Sequence, residues 1–478
     1  MSSETTFSDL YCNPLPLPDL GPGICCRQET PDLTYFCGEK RDYREVADPE
    51  LLYHDGIWYM YPSVRQAYVS RDLVSWEYHP LKISGDLGYA PSVVRCGNRF
   101  LLTSSILFRD KVPKIYAAPT PLGPFENLGE PLDRHGNPLQ PEYLDPSLFV
   151  DEDGRLYLYW GCAPYSGGIY GIELDADNPT RAVGDAVKLL DYDSTHVWEH
   201  YGEYHEHTHH GWDEGVAMFK HRGTYYLQYA ACGTIFRHYA IGCYRSDVSP
   251  LGPFRPPQQA MACSPHGIVT GSGHGGMAAG PDGSVWQFYT CLIRRVHFFE
   301  RRVGMDRVQF DPDGNPHVRI TATPQSVTGG DIGLVPVSVN KPVRVSSWSA
   351  DHYGNYAVDE CTHTWWEPTE DDRMPQLEVD LVEDFAVSAV RILWCEPNLD
   401  YHSGRQPEPV RFKIEMLSAA GEVLPATVDR SGNTVDRIVE FVAFTPVTAR
   451  KIRLEIQRGA DKIRHGVTDF TVFGMPRQ

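Results

Sequence analysis

The chain has 478 residues, of which 41% are hydrophobic and 22% are charged, and its formal net charge is -20. This length exceeds what one ordinary core supports, so we expect two or three domains. The acidic balance disfavours binding to nucleic acids and to anionic membranes, because like charges repel.

The first twenty residues, MSSETTFSDLYCNPLPLPDL, lack a basic start followed by an apolar run, and no stretch of the chain is apolar enough to span a membrane. The 12 cysteines are scattered and form no CxxC pair. We therefore expect reduced thiols in a cytoplasmic protein. A homo-oligomer is compatible with this composition.

One sequence phrase recurs five times, as an extended run, a turn with glycine and a second run rich in aromatic or apolar residues. This pattern is typical of a β-hairpin. The copies are ADPELLYHDGIWYMYPS (47–63), APSVVRCGNRFLLTSS (90–105), DPSLFVDEDGRLYLYWG (145–161), DEGVAMFKHRGTYYLQYA (213–230) and GHGGMAAGPDGSVWQFYT (273–290). They begin roughly 40 to 70 residues apart, which is room for one four-stranded blade each.

The repeats predict an all-β protein whose residues 1–326 form a five-bladed β-propeller. The phrase PLGPF, which occurs at 121–125 and again at 250–254, supports the same unit at the outer edge of two blades. A stretch rich in Gly, Val and Pro follows, and we interpret 327–342 as a linker. Regular alternation of apolar residues then predicts a separate β-sandwich module over 343–478.

Aligned on their turn glycines, the five repeats begin their inner strands at Asp48, Ala90, Asp145, Glu214 and His274. The innermost strands of a propeller line its central channel, so these positions should converge on the axis. Buried acids cost free energy unless they are paired or functional. Paired carboxyl groups in a channel suit glycoside hydrolysis, in which one protonates the leaving oxygen while another activates water or attacks the sugar.

These residues carry a resemblance to glycoside hydrolase family 43. The segments that resemble the family are VADPEL (46–51), LDPSLFVDEDGRLYLYWG (144–161), WDEGVAMFKHRGTYYLQYA (212–230), SGHGGM (272–277) and MDRVQFDPDGNP (305–316). Together they span about 300 residues in the family's order. The resemblance implies an inverting glycosidase on a five-bladed propeller.

The resemblance also implies a role for each axial residue. Asp48 would be the general base that activates water, and Glu214 would be the general acid. Asp145 would tune the pKa of the acid and orient it. His274 would contact substrate and hold a water or a calcium ion. Catalysis would require no cofactor, and calcium would bind at the axis or in the C-terminal module.

Further residues are candidates for substrate binding. Tyr89, Trp212 and Trp160 are predicted to stack on a sugar, and Arg295 is predicted to balance the acids or hold a sugar hydroxyl. The segment 198–215 holds five histidines. We interpret it as a loop on the rim of the substrate pocket rather than as a transition-metal site, because its spacing matches no firm metal motif.

The C-terminal segment resembles a discoidin-like module, the coagulation factor 5/8 type C family. The resemblance is carried by VRVSSWSADHYGNYAVDECTHTWWEP (343–368) and PQLEVDLVEDFAVSAVRIL (375–393). It implies carbohydrate binding through loops, with a structural buttress for the propeller as the alternative.

We therefore predict an exo-acting hydrolase that releases a terminal sugar from oligosaccharides, of the α-L-arabinofuranosidase or β-D-xylosidase type. A β-D-galactofuranosidase or exo-galactanase is the alternative among enzymes. A non-catalytic carbohydrate-binding propeller is the alternative of another class, and the presence of three acids at matching positions argues against it.

Overall fold

The computed structural model describes residues 7–18, 45–85, 87–105, 113–139, 144–293, 300–397, 408–458 and 465–476. Their regular structure is almost entirely β. Short 3-10 helices occur at Phe7–Asp9, Val197–Glu199 and Gly354–Val358. Within these stretches, no helix has the length and apolar character needed to cross a membrane.

Strand β1 (Leu10–Tyr11) precedes five small antiparallel sheets, which are the blades of a propeller. Blades 1 and 2 have four strands each: β2 (Glu50–His54), β3 (Ile57–Tyr61), β4 (Gln66–Ser70) and β5 (Glu77–Pro80) in blade 1, and β6 (Ser92–Cys96), β7 (Arg99–Thr103), β8 (Ile115–Ala118) and β9 (Glu126–Gly129) in blade 2. Blade 3 contains β10 (Ser147–Val150), β11 (Leu156–Cys162), β12 (Gly168–Leu174) and β13 (Val187–Leu190), and blade 4 contains β14 (Glu214–His221), β15 (Thr224–Ala231) and β16 (Ala240–Ser246). Blade 5 contains β17 (Met277–Ala279), β18 (Val285–Leu292), β19 (Arg301–Phe310) and β20 (Pro316–Val318).

The all-β fold and the five predicted hairpins are confirmed. Each repeat forms the first two strands of one blade, with strands paired in chain order because tight turns join antiparallel neighbours. Blade 4 differs from the expected four strands, since its described part has three. Its outer edge carries two isolated bridges, from Ile241 to Ala262 and from Arg245 to Arg255.

The first strands of the blades, β2, β6, β10, β14 and β17, neighbour one another around the axis. Apolar side chains fill the space between successive blades. Between blades 2 and 3, for example, Leu101 and Ile115 pack with Leu156 and Trp160. This packing between sheets leaves the ends of the first strands facing the channel.

The two ends of the propeller chain are held together. Strand β1 pairs with β21 (Gln325–Ser326), which pairs in turn with β22 (Gly330–Asp331). The amide of Leu15 also donates to the carbonyl of Val303 at 2.8 Å. The N-terminal segment therefore runs along the last blade.

The C-terminal residues form a seven-stranded antiparallel sheet that folds into a β-sandwich. Its strands are β23 (Val335–Pro336), β24 (Val343–Val345), β25 (Gln376–Cys395), β26 (Arg411–Leu417), β27 (Val423–Asp429), β28 (Val439–Gln457) and β29 (Gly466–Pro476). The long strand β25 pairs with β24 and β28 in its first half and with β28 and β29 in its second half. Register shifts lie between the two halves, so one strand serves both parts of the sandwich.

The segment 327–342 is more ordered than the predicted linker. Strand β22 extends the small sheet at the end of the propeller, and β23 pairs with β29 of the sandwich. Short strands of this kind satisfy the backbone hydrogen bonds of a connection that is partly buried.

Candidate active site

The chain adopts the same left-handed backbone conformation where four of the blades begin on the axis. The φ angle is 52° at Asp48, 49° at Ala90, 43° at Asp145 and 45° at His274. Residues other than glycine hold this conformation at a cost of about 1–3 kcal/mol, and such residues cluster at functional sites. In blade 4 the corresponding residue is Gly215, with φ 61°.

Glu214 therefore lies one residue before the position that the repeat alignment assigns to it, and that part of the prediction is wrong. A bulge between Glu214 and Ala217 absorbs the extra residue. A Cβ atom at Gly215 would lie 2.6 Å from Nδ1 of His274. The imidazole of His274 thus takes the space of a fifth axial side chain.

Asp48 is 4% exposed and is surrounded by donors. Two N–H groups of Arg301 donate to its two oxygens at 3.0 Å each, and the Ser63 hydroxyl donates to Oδ2 at 2.6 Å. Arg301 is itself fixed by the Glu45 carboxylate and the Thr234 hydroxyl. A buried guanidinium that hydrogen-bonds to two carboxylates stabilises both of them, although it balances only one of their two negative charges.

This environment keeps Asp48 ionised. Burial acts to raise the pKa of Asp48, but the charges of Arg301 and His274 and the hydrogen bond from Ser63 outweigh it, so the pKa lies below its ordinary value. A carboxylate that stays ionised can accept a proton from water.

Glu214 has the opposite environment. The indole N–H of Trp212 donates to Oε2 at 2.6 Å, and the hydroxyl of Tyr239 donates to Oε1 at 3.0 Å. Burial, followed by the charge of Asp145, raises the pKa of Glu214 to about 8, although the two hydrogen bonds oppose the shift. The carboxyl is therefore protonated at neutral pH and can donate a proton.

The environment of Asp145 shares features with those of Asp48 and Glu214. The Ser105 hydroxyl donates to Oδ1 at 2.6 Å, and the amide of Gly215 also bonds to the carboxyl. Burial raises the pKa of Asp145, while the charge of His274 and the Ser105 hydrogen bond oppose it. Its proximity to Glu214 couples the two groups, since two nearby carboxyls do not ionise independently.

His274 lies between the two axial aspartates. Its Nδ1 is 3.5 Å from Oδ1 of Asp48 and 4.0 Å from Oδ2 of Asp145. Calcium takes six to eight oxygen ligands, yet the oxygens of Asp48 already bind Arg301 and Ser63. Nowhere in the described chain do three or more His, Cys, Asp or Glu side chains form a group able to hold a metal ion. The carboxylate oxygens of Asp48 are thus already bound by other groups, which disfavours the implied calcium at the axis.

Three hydroxyl residues that sequence reasoning missed join neighbouring blades at the axis. Each lies near the end of the second strand of its blade or just after it, and accepts a hydrogen bond from the amide N–H of an axial residue. The bonds run from Ala90 to Ser63 at 3.1 Å, from Asp145 to Ser105 at 2.7 Å and from Asp48 to Thr290 at 3.0 Å. The recurrence of Ser or Thr at the ends of three repeats is the signal that could have identified them.

The other predicted substrate contacts have different outcomes. Tyr89 is half-buried beside the site, with its ring centre 5.8 Å from the guanidinium carbon of Arg301. Trp160 is 0% exposed in the core between blades 2 and 3. A wholly buried ring offers no face to a sugar, so the prediction for Trp160 is wrong. Arg295 lies outside the described residues.

Within the histidine-rich segment, residues 200–211 form a compact loop next to Glu214, the histidine-rich loop. Tyr201 and His207 form a bridge, and the amide of Tyr201 donates to the carbonyl of His210 at 2.9 Å. Burial, with a contribution from the charge of Glu214, raises the pKa of Tyr201. Tyr165, which is 48% exposed, contacts the ring of Trp212. This arrangement is consistent with the rim that the sequence predicts.

A cavity follows the axis beneath these groups. Its volume is 10 Å³, and it is lined by Asp48, Asp145 and His274 and, one layer further in, by Glu50 and Ser147, but not by Glu214. Burial raises the pKa of Glu50 to about 8. A larger groove of 580 Å³ lies elsewhere, between blade 1 and the sandwich, and none of the axial acids lines it. Cavity size alone would identify that groove as the candidate active site, whereas the carboxyls with shifted pKa values identify the axis.

Comparisons with known proteins agree with this geometry. Residues 44–316 match the family model of glycosyl hydrolases family 43. Beta-D-galactofuranosidase xynD of Aspergillus niger is 26% identical over 281 residues, which are 52% of this chain and 74% of that protein. A xylosidase/arabinosidase of Butyrivibrio fibrisolvens is 30% identical over 181 residues, covering 35% of this chain and 30% of that protein.

A solved structure described as a glycoside hydrolase superposes with a TM-score of 0.50 at 19% identity, and the match covers 90% of this chain and 97% of the other. At this identity the superposition supports the fold alone. The family match covers more than half of the chain and includes every axial residue described above. The chain therefore belongs to glycosyl hydrolase family 43 and is a glycosidase.

Proposed function

We propose that this protein is an exo-acting, inverting glycoside hydrolase in which Asp48 is the general base and Glu214 is the general acid. The observation that carries the proposal is the opposite shift of two carboxyl pKa values at one axis. The pKa of Asp48 is lowered, and that of Glu214 is raised to about 8. Environments that separate two carboxyls in this way identify an acid and a base.

In this mechanism a water molecule between the sugar and Asp48 gives a proton to the carboxylate. Its oxygen attacks the anomeric carbon from the face opposite the leaving group. The bond from that carbon to the glycosidic oxygen breaks, and Glu214 transfers its proton to that oxygen. The products are an alcohol and a sugar of inverted configuration. Such a site needs roughly 6.5–9.5 Å between its carboxyls to admit the water.

Asp145 and His274 would act on these two groups. The charge of Asp145 contributes to the raised pKa of Glu214. His274 faces both aspartates and fills the axial position that Gly215 leaves open. We propose that it shapes the floor of the pocket and contacts the terminal sugar, together with Tyr89 and Trp212.

For the substrate we propose a terminal arabinofuranose or xylose on an oligosaccharide. The names of the xylosidase/arabinosidase relatives from Butyrivibrio fibrisolvens and Humicola insolens support this class. A β-D-galactofuranosidase or exo-galactanase is the second candidate, because the Aspergillus niger relative aligns over the larger part of its own length. A binding propeller without catalysis would not need two carboxyls with oppositely shifted pKa values at the axis.

We also propose that the C-terminal module is discoidin-like. The segments 343–368 and 375–393 contain β24, most of β25 and the 3-10 helix Gly354–Val358. Trp348 and Tyr353 are 53% and 42% exposed there, which suits a sugar-binding surface. The buttress role is favoured by Arg391 of β25, whose guanidinium donates to the carbonyls of Asn13 and Ala322 in the propeller chain.

A panel of nitrophenyl glycosides tests the function. We expect the wild type to hydrolyse a furanoside or a xyloside, with the first product of inverted anomeric configuration by NMR. Asp48→Ala and Glu214→Ala should remove this activity, and Asp153→Asn, in an exposed turn of blade 3, should retain it. Hydrolysis that survives in both axial variants would overturn the proposal.

A further inference from the structure

A second pair of carboxyl groups lies behind the strand that carries Glu214. Asp213 is 0% exposed, and within the described residues no donor meets either of its carboxyl oxygens. Its hydrogen-bonding neighbour is the carboxyl of Glu199, in the short helix Val197–Glu199 before the histidine-rich loop. Two carboxyls can share a hydrogen bond only when one of them carries a proton.

The surroundings of Glu199 identify which carboxyl is ionised. Glu199 is 1% exposed, and both of its oxygens meet donors. The Tyr229 hydroxyl and Nδ1 of His196, at 2.7 Å, bind Oε1, and the amide of Asp193 donates to Oε2 at 2.7 Å. A carboxylate is stabilised by this number of donors, whereas a carboxylate without any would be prohibitively expensive in a buried site.

We infer that Asp213 works as a neutral carboxylic acid that donates its proton in a hydrogen bond to Glu199, and that this carboxyl pair positions Trp212 and Glu214 from behind. Burial, with the charge of Glu199 next, raises the pKa of Asp213 well above its ordinary value. This direction agrees with the donor arrangement.

The geometry around Asp213 explains how the pair acts on the active site. The backbone of Asp213 exchanges two hydrogen bonds of 2.9 Å with Ala163 of blade 3, which fixes it as a short extended segment. Side chains alternate along such a segment, so Trp212 and Glu214 lie on the face opposite Asp213. Their own hydrogen bond of 2.6 Å confirms that they share that face. Asp213 is thus a positioning residue.

The pair also connects this segment to the rim. Glu199 precedes the histidine-rich loop, and a Cβ at Gly211 would lie 3.1 Å from its backbone oxygen and 2.4 Å from the ring of Tyr192. The loop is therefore closely packed at both of its ends. The hydrogen bond from Asp213 to Glu199 holds the start of the loop against the strand on which the loop ends.

The test compares Asp213→Asn with Asp213→Ala. An asparagine amide donates to Glu199 as the neutral acid does, so we expect Asp213→Asn to keep kcat/KM within about fivefold of wild type, with both limbs of the pH profile unchanged. Asp213→Ala leaves Glu199 without this donor and should lower kcat by about tenfold or more. Asp145→Asn, at the axis, is the matched control and should lose activity.

Retained activity in Asp213→Asn, together with a loss in Asp213→Ala, would show that residue 213 acts as a neutral hydrogen-bond donor and not as a charge or as a space-filling side chain. A loss in Asp213→Asn of about fivefold or more, or a displaced pH limb, would overturn the inference. If Asp213→Ala does not fold, the comparison of kcat/KM between Asp213→Asn and wild type, with the same fivefold limit, is sufficient to test the inference. The activity readout rests on the proposed function. Infrared difference spectra between wild type and Asp213→Asn at neutral pH are independent of the proposed function. They should contain a band of a protonated carboxylic acid. The absence of this band would also overturn the inference.

Discussion

The molecule buries two groups of acids, and they differ in whether a nearby carboxyl has a pKa shifted in the opposite direction. One group lies on the propeller axis. The other lies where the N-terminal segment, blade 5 and the sandwich meet. There Asp306 is 3% exposed and accepts hydrogen bonds from two tyrosines, an asparagine and both donors of one threonine, namely Tyr11, Asn13, Tyr289 and Thr321.

The pKa values alone do not distinguish the two groups. Burial raises the pKa of Asp306 to about 7, against about 8 for Glu214. The difference is that the donors of Asp306 join separate segments of the chain, whereas Asp48 and Asp145 line the axial cavity and the pKa of Asp48 is shifted the other way. A perturbed carboxyl therefore indicates catalysis when a second carboxyl at the same site has its pKa shifted in the opposite direction.

The largest expected effect is the loss of catalysis in Glu214→Gln. Because Glu214 is protonated at neutral pH, the amide replaces it without a change of charge, and we expect little change in the free energy of unfolding. The loss of a general acid should lower kcat/KM by about 10²–10⁴-fold. Substrates whose leaving groups need no proton should lose much less, which a series of aryl glycosides measures. An equal loss across the series would contradict the assignment.

For Asp306 we expect the opposite result, a loss of stability without a loss of catalysis. Asp306→Asn replaces an acceptor of five hydrogen bonds with a group that must also donate, so some donors lose their partner. The free energy of unfolding should fall by about 2–3 kcal/mol, measured by urea denaturation. The kcat/KM of the folded fraction should stay at the wild-type value. A specific loss of activity without a loss of stability would break the comparison between the two groups.

The repeats made the propeller predictable from the sequence, because each hairpin has its own turn residues and its own alternation of apolar residues. The axial positions of Asp48 and Asp145 were predictable too, because both residues begin the inner strand of a repeat. The offset of Glu214 was not predictable, since the bulge after it depends on how the ring of His274 fills the position of Gly215. Arg301 and Asp306 escaped notice because their partners are about 250 and 300 residues away in sequence, for example Asp48 and Tyr11. Trp160 was misassigned because an aromatic side chain in a repeat fits a core as well as a sugar site.

A moderate effect is expected when Arg301 loses its charge. Burial raises the pKa of Asp48, and Arg301 is the strongest opposing group. Arg301→Met should therefore raise the pKa of Asp48, and activity should disappear at a higher pH on the acid side of the profile. The measurement is kcat/KM against pH, with Arg307→Met from the same strand as the control. An acid limb at the wild-type position would show that another group holds Asp48 ionised.

The smallest expected effect is that of Trp212→Phe. The indole N–H donates to Glu214 and stabilises the ionised form more than the neutral form, so it lowers the pKa that burial and Asp145 raise to about 8. Without it, the pKa of Glu214 should rise, and the alkaline limb of kcat/KM should move to higher pH. The rate at the optimum should fall only by about three- to tenfold, because the carboxyl keeps its bond from Tyr239 and becomes a weaker acid. Trp198→Phe is the matched control, since that indole donates to Tyr229 at 3.1 Å instead of to Glu214. An alkaline limb that moves equally in both variants would mean that the rim, and not the single hydrogen bond to Glu214, sets the protonation of the general acid.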